Sequence, residues 1–201
     1  MAPEQPGTHW SSAEEEIMEA TYRALGEHGY AELSISRIAA ELDKSKAALY
    51  YHYDTKDDLL VAFLQFAIDR FETTIETETG DAPAEDLEHI IEKLLPLQLD
   101  EERQQLQTVL TGLRSQAVTN EEFREQFTQI DERLATTIRE IVESGIEDGT
   151  FCDVDSSRVA EHILATINGA KYGRATTDRR GATAAARVSL ASYIDTELRR
   201  H

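Results

Sequence analysis

The stretch Gly29–Leu60, GYAELSISRIAAELDKSKAALYYHYDTKDDLL, constrains this chain more than any other. Apolar residues recur in it at helical spacing, and a hydroxyl residue stands just ahead of each apolar run, the pattern of short capped helices. Ser34 is placed to cap a helix whose apolar face is Ile35, Ile38, Ala39 and Leu42. Asp43 and Lys44 make a tight turn, and Ser45 caps the next helix, in which Ala48 and Leu49 face inward. Thr55 with Asp58 forms another capping pair, ahead of a longer helix carrying Leu59, Leu60, Phe63, Phe66 and Ala67. Upstream, Ser12 with Glu15 opens a first helix, Ile17, Thr21, Ala24 and Leu25 share one face, and Gly29 stops it.

The second short helix concentrates hydrogen-bonding and cationic side chains. A helix entering a major groove needs small or polar residues near its N-terminus, so that its backbone approaches base edges. Ser45, Lys46, Ala47 and Tyr51 meet that need. Phosphates need donors fixed on either side of the groove. Ser34, Tyr50, His52 and Lys56 are placed to supply them, and Lys44 adds charge at the turn. Tyr50, Tyr51 and Tyr53 cannot all point inward at 3.6 residues per turn. Tyr53 is assigned to the core, and Tyr50 and His52 to the DNA face. Lys56 taken alone is an ordinary surface lysine; the motif around it gives it weight.

On these residues the segment resembles, without a gap, the DNA-binding head of the TetR (tetracycline-repressor-like) family of regulators, and SKAALYYHYDTKDDLL carries most of the likeness. The resemblance implies phosphate contacts from Tyr50, His52 and Lys56, with Ser45 to Ala47 and Tyr51 nearer the bases. Tyr53 stands where the family usually carries Phe. Three positions depart from the pattern: Asp43 for a common Gly in the turn, Ala47 for a frequent Gly, and Leu33 for a frequent Thr. The Ala47 methyl offers an apolar contact to a thymine methyl.

The net charge of −19 runs against the basic footprint usual in DNA-binding domains. Positive charge gathers only between Arg37 and Lys56, and lysine supplies 5 of the 20 basic residues. Abundant Asp and Glu with little Lys resembles proteins of salt-loving archaea. At about 1 M salt the Debye length is roughly 3 Å, so repulsion between an acidic body and DNA is screened. The same salt removes most of the counterion-release drive, so recognition rests on close hydrogen bonds and shape.

Beyond the head the pattern stays helical. Gly80, Asp81 and Pro83 break the chain, and Pro83 starts a fifth helix with Leu87, Ile90, Ile91, Leu94 and Leu95, closed by Pro96. Asp100 caps a sixth, Thr119 with Glu122 opens a long seventh that ends at Gly149, an eighth begins near Asp155, and a ninth runs from about Gly181 with Val188, Leu190, Ile194 and Leu198. The expectation is an all-α chain of about nine helices, divided into a head at 11–71 and a body at 72–201.

The resemblance implies a body that binds a small-molecule effector and dimerises. A pocket between helices four and eight takes Phe63, Phe66, Leu106, Leu110, Leu113, Phe127, Ile130, Leu134 and Ile167, with polar contacts from Arg114, Asn168 and Tyr172. For each apolar member a plain core role is equally open, and Arg114 fits a salt-bridged surface role as well. Ala160, Gly169, Ala170, Gly173, Ala184 and Ala191 are small enough to let the last two helices meet those of a second subunit. The alanines are also simply good helix formers.

The function expected is a homodimeric, cytoplasmic transcriptional regulator, a repressor that leaves a palindromic double-stranded DNA operator when an effector binds. An effector-free architectural DNA-binding protein is the alternative. Helical-bundle catalysis fares poorly: di-metal bundles need two Glu-x-x-His motifs, and this chain has Asp86-x-x-His89 once. No cofactor or metal is expected. No apolar run reaches the roughly 18 residues a membrane span needs. Cys152 is the only cysteine, which excludes an intrachain disulfide and suits a small filler in a loop between helices.

Overall fold

The computed structural model describes residues 10–42, 46–78, 82–179 and 181–199; at 46–48, 71, 72 and 74–78 it describes the backbone without the side chains. The expected turn Asp43–Lys44, the cap Ser45 and the break at Gly80 and Asp81 lie outside the described residues, as do the side chains of Lys46, Ala47 and Ala48.

The chain is all-α. Among the described residues the helices are α1 (Ser12–Glu32), α2 (Ile35–Glu41), α3 (Lys46–His52), α4 (Lys56–Glu78), α5 (Pro83–Leu94), α6 (Glu101–Gln116), α7 (Glu121–Glu147), α8 (Ser156–Thr176) and α9 (Ala182–Tyr193), followed by a π-helical turn, Ile194–Leu198.

Local capping chemistry sets most of the boundaries. Ser34 Oγ accepts from Arg37 N, Asp100 from Arg103 N and Asp155 from Arg158 N, each filling one of the unpaired donors of a first turn. Thr55 and Asp58 exchange hydrogen bonds at 2.8 and 3.0 Å at the start of α4. Two caps lie one position from expectation. Ser11, not Ser12, closes a box with Glu14 at the start of α1, and Asn120, not Thr119, caps α7 by accepting from Phe123 N. In both places two adjacent residues can accept, and the backbone entry path selects one.

Gly29 interrupts α1 as expected, at φ 68° and ψ 170°, where a side chain would be strained, and one more turn follows it to Glu32. Val188 faces solvent at 70% exposure, whereas Leu190, Ile194 and Leu198 are buried. The wider π-helical turn carries the chain end back to the loop after α7: Cys152 N donates to Leu198 O at 2.7 Å, and Phe151 bridges Arg199.

Two apolar cores result. One joins α1 to α4 through Ile17, Met18, Leu49 and Leu64, and continues into Val109 and Leu113 of α6 and Phe123 and Phe127 of α7. The other gathers Leu87, Ile90, Ile138, Val159, Ile163 and Leu190 from α5, α7, α8 and α9. The head therefore shares its core with α6 and α7, and the expected division at 71/72 falls inside α4. Full burial of one such leucine stabilises the fold by about 1.5–3 kcal/mol.

Candidate nucleic-acid interface

Seven residues make α3, Lys46–His52, and among its described side chains Leu49 anchors it, fully buried in the core shared by α1, α2 and α4. With Leu49 inward, its neighbours turn outward. Tyr50 is 53% and Tyr51 85% exposed, and His52 is exposed beside Tyr51, ring centroids 5.2 Å apart and edge-on. Tyr53 packs half-buried on the core, and that burial, with Glu14 nearby, pushes its phenol up to about 12. The division of the tyrosines thus follows helix periodicity, two outward and one inward.

The flanking donors are held in place. Ser34 Oγ is occupied as an acceptor by its capping bond at 3.3 Å, and a hydroxyl so engaged still has its proton to donate. Lys56 Nζ donates to Tyr30 O at 3.2 Å and sits 4.0 Å over the Tyr30 ring. An ammonium has three donors, so two remain for a phosphate. Arg37 is turned back onto the carbonyl and carboxylate of Glu32. Arg23 is likewise turned onto Glu41. Among the described side chains, the outward chemistry of this face is therefore aromatic and hydroxylic more than cationic.

Sequence reasoning missed the residues that mount this head on the body. Tyr30 OH donates to Asp57 Oδ1 at 3.2 Å, Asn120 Nδ2 donates to Asp57 Oδ2 at 3.3 Å, and the Tyr30 ring meets Phe123 edge-on at 6.1 Å. The pairs are 27 and 63 positions apart, and local spacing carries no signal of them.

The residues expected to line an effector pocket are mostly core. Phe63, Phe66, Leu113 and Phe127 are buried in the first core, with Leu106, Leu110 and Ile130 against it; Ile167 is buried in the second, with Leu134 against it. Arg114 pairs with Asp131 and lies 4.8 Å over the Phe127 ring. Asn168 is half-buried, and Tyr172 is 57% exposed rather than inward, because α8 turns Ile167 and Ala170 to the core instead. A cleft of about 520 Å³ opens elsewhere, between α1 and α6, lined by Leu25, Gly26, Tyr30, Gln105, Thr108 and Val109 among others.

The small residues divide. Ala160 and Ala170, 1% and 8% exposed, pack into their own core, so they are not free to meet a partner. Gly169, Ala184 and Ala191 are exposed and Gly173 half-exposed; Tyr172 and Val188 lie exposed on the same two helices.

Comparison with known proteins agrees with this arrangement. Residues 17–63 match the family model for bacterial regulatory proteins of the tetR family, and residues 83–199 match that for the C-terminal region of BetI-type transcriptional repressors. A TetR transcription regulator from Haloarcula marismortui ATCC 43049 is similar at 40% identity with a TM-score of 0.86, over 94% of this chain and 100% of that one. A transcriptional regulator from Saccharomonospora viridis, solved in complex with choline, superposes with a TM-score of 0.77 at 24% identity over 96% of this chain and 100% of that one, a likeness of fold alone. The nucleoid occlusion factor SlmA of Vibrio atlanticus (strain LGP32) is 28% identical over 166 residues, 81% of this chain and 84% of that protein.

Proposed function

The chain belongs to the TetR family and is a DNA-binding transcription regulator; on that premise we propose that it works in the cytoplasm as a homodimeric repressor released from a palindromic operator by a small-molecule effector. The observation that carries the reading is the outward face of α3, where Tyr50, Tyr51 and His52 stand exposed between the donors Ser34 and Lys56. In a dimer two such faces enter successive major grooves only at a spacing of about 34–36 Å or a multiple of it. An effector that fits a differently spaced body draws the population away from DNA.

A second reading has its own support. The expected pocket side chains are packed into core, and SlmA, a nucleoid occlusion factor, is among the relatives. An architectural DNA-binding protein needs the head and a filled body but no effector. No described helix is long and apolar enough to cross a membrane. The acidic surface is an adaptation to a salt-rich cytoplasm, a reading supported by the likeness to a Haloarcula regulator.

Selection of bound duplexes from a random pool at about 2 M KCl, where screening is nearly complete, tests the proposal. A palindrome with half-sites about 10 base pairs apart, or a multiple, is expected. Enrichment with no dyad would overturn it.

A further inference from the structure

The cleft of about 520 Å³ between α1 and α6 opens where a helix of the head crosses a helix of the body. Its walls are tied at one end by Tyr22 OH, which donates to Glu102 O at 2.7 Å. Leu25 and Val109, both buried in the first core, give it an apolar floor. Bare backbone lines it at Gly26, Gly29 and Gly112. Two of these glycines have a packing or backbone reason. A Cβ at Gly26 would collide with the Gln105 amide, and Gly29 holds a positive φ. Gly112 has neither. It lies inside α6, and a Cβ there would meet no atom within 4 Å. Alanine is the better helix former at such a place, so Gly112 weakens its helix and leaves the cleft open.

The polar side chains on the cleft keep open hydrogen-bonding capacity. Among the described residues the Gln104 and Gln105 amides make no hydrogen bond to protein, whereas Gln107, two positions on, is bonded through both ends of its amide. The Gln105 amide lies half-buried on the bare backbone of Gly26, and its atoms stay accessible from the cleft. Such an amide is completed by a group that both donates and accepts. Thr108 Oγ1 donates to Gln104 O at 2.9 Å and remains able to accept. Charge narrows the class of occupant. Among the described residues no lysine or arginine lines the cleft, and the Glu101 carboxylate stands exposed at its rim, in a chain of net charge −19. An anion would leave water here with no cation to meet it.

We propose that this cleft, and not the interior of the body, is the effector site, a choice that rests on the effector reading. Its occupant is a small uncharged molecule that joins an apolar ring or chain to a carboxamide or hydroxyl group. The apolar part covers Leu25, Val109 and the open backbone at Gly112, and the polar part pairs with the Gln105 amide, giving one hydrogen bond and accepting another. The volume is that of an ordinary small-molecule site. The side chains expected to line a pocket inside the body are packed into the two cores instead. An occupant that touches α1 and α6 together fits one head–body setting better than another, and such a difference is what shifts a population toward or away from DNA.

The test is titration of the full chain with benzamide, followed through the methyl resonances of Leu25 and Val109, with benzoate as the charged counterpart of the same shape. Benzamide is expected to shift these resonances saturably, and benzoate to bind at least about tenfold more weakly. Gly112→Leu, which fills the open space, is expected to abolish the shifts while melting at or above wild type. Gln105→Leu keeps the volume and removes the amide, and is expected to weaken benzamide by about tenfold. Absence of saturable shifts in wild type, or equal binding of benzamide by both variants, would overturn the site; benzoate binding as tightly as benzamide would overturn the uncharged class. Operator titration with benzamide separates the site from the effector reading. Shifts with release support both. Shifts without release keep the site and remove its effector role, whereas release with no shift at Leu25 and Val109 keeps the effector reading and removes the site.

Discussion

Asn120 Nδ2 donates to Asp57 Oδ2 at 3.3 Å, and that bond joins the first turn of α4 to the first turn of α7. The same Asn120 caps α7 through its Oδ1, so one side chain ends a body helix and grips the head. Asn120→Ala removes both roles and is expected to cost about 1 kcal/mol or more of stability. Asn120→Ser keeps a cap but is too short to reach Asp57. Urea melts should place Ser close to wild type and Ala well below it, while operator titrations should show both altered, because both lose the grip. Ser and Ala variants of equal stability would remove the capping role.

The caps were the most legible part of the sequence. Ser34, Thr55, Asp100 and Asp155 act within three residues of their own position, so the pattern alone exposes them. Tyr53 inward and Tyr50 outward follow from periodicity for the same reason. Phe63, Phe127 and Ile167 show the limit: helical spacing says that a side chain is covered, not whether protein or ligand covers it. Ala160 and Ala170 were misplaced because small residues occur all around α8, and composition does not say which side a partner meets. The sequence pattern assigned Lys171 no role. Its one sequence signal was its place, with Arg174, on a helix otherwise apolar and small around it, in a chain with few lysines.

Dimerisation should respond to the exposed small residues and not to the buried ones. Ala191→Arg is expected to give a helical monomer with weakened operator binding, since one head loses the gain from two linked half-sites. Ala170→Arg, which puts a charge into the second core, is expected to unfold the body instead. Light scattering and circular dichroism distinguish the two. A wild type that is monomeric at micromolar concentration would end the dimer proposal.

Lys171 predicts a pH dependence. Crowding first, then Arg114 and Arg174, push its pKa from 10.5 down to about 8 in the folded chain. Between those values the unfolded chain holds a proton that the folded chain has released, so stability rises with pH across the interval, and below about 8 the whole cost is present. The gain is on the order of 1–3 kcal/mol. Tyr22 and Tyr30, raised by burial above 10.0, act in the opposite sense at the alkaline end. The difference between wild type and Lys171→Met isolates the lysine. It should shrink as pH climbs from about 8 to about 10; a constant difference would contradict the assignment.

Salt should stabilise the protein. Thirty-nine acidic residues against twenty basic ones repel one another most in the compact state. The melting temperature is expected to climb between about 0.1 and 2 M KCl, as the Debye length falls from about 10 Å to below 3 Å. Chloride is the proper salt, because sulfate also stabilises by exclusion from the protein surface, apart from screening. A flat or falling curve would contradict adaptation to high salt and leave the DNA-binding head untouched.

The outward face of α3 carries the DNA-binding assignment, and one titration tests it. With a selected operator in high KCl, Tyr50→Ala and Tyr51→Ala, both exposed and outside the core, are each expected to lose about 1–3 kcal/mol of binding, with folding stability changed by less than about 0.5 kcal/mol. Unchanged operator affinity in both variants, with the fold intact, would contradict the assignment of α3 as the helix that reads DNA.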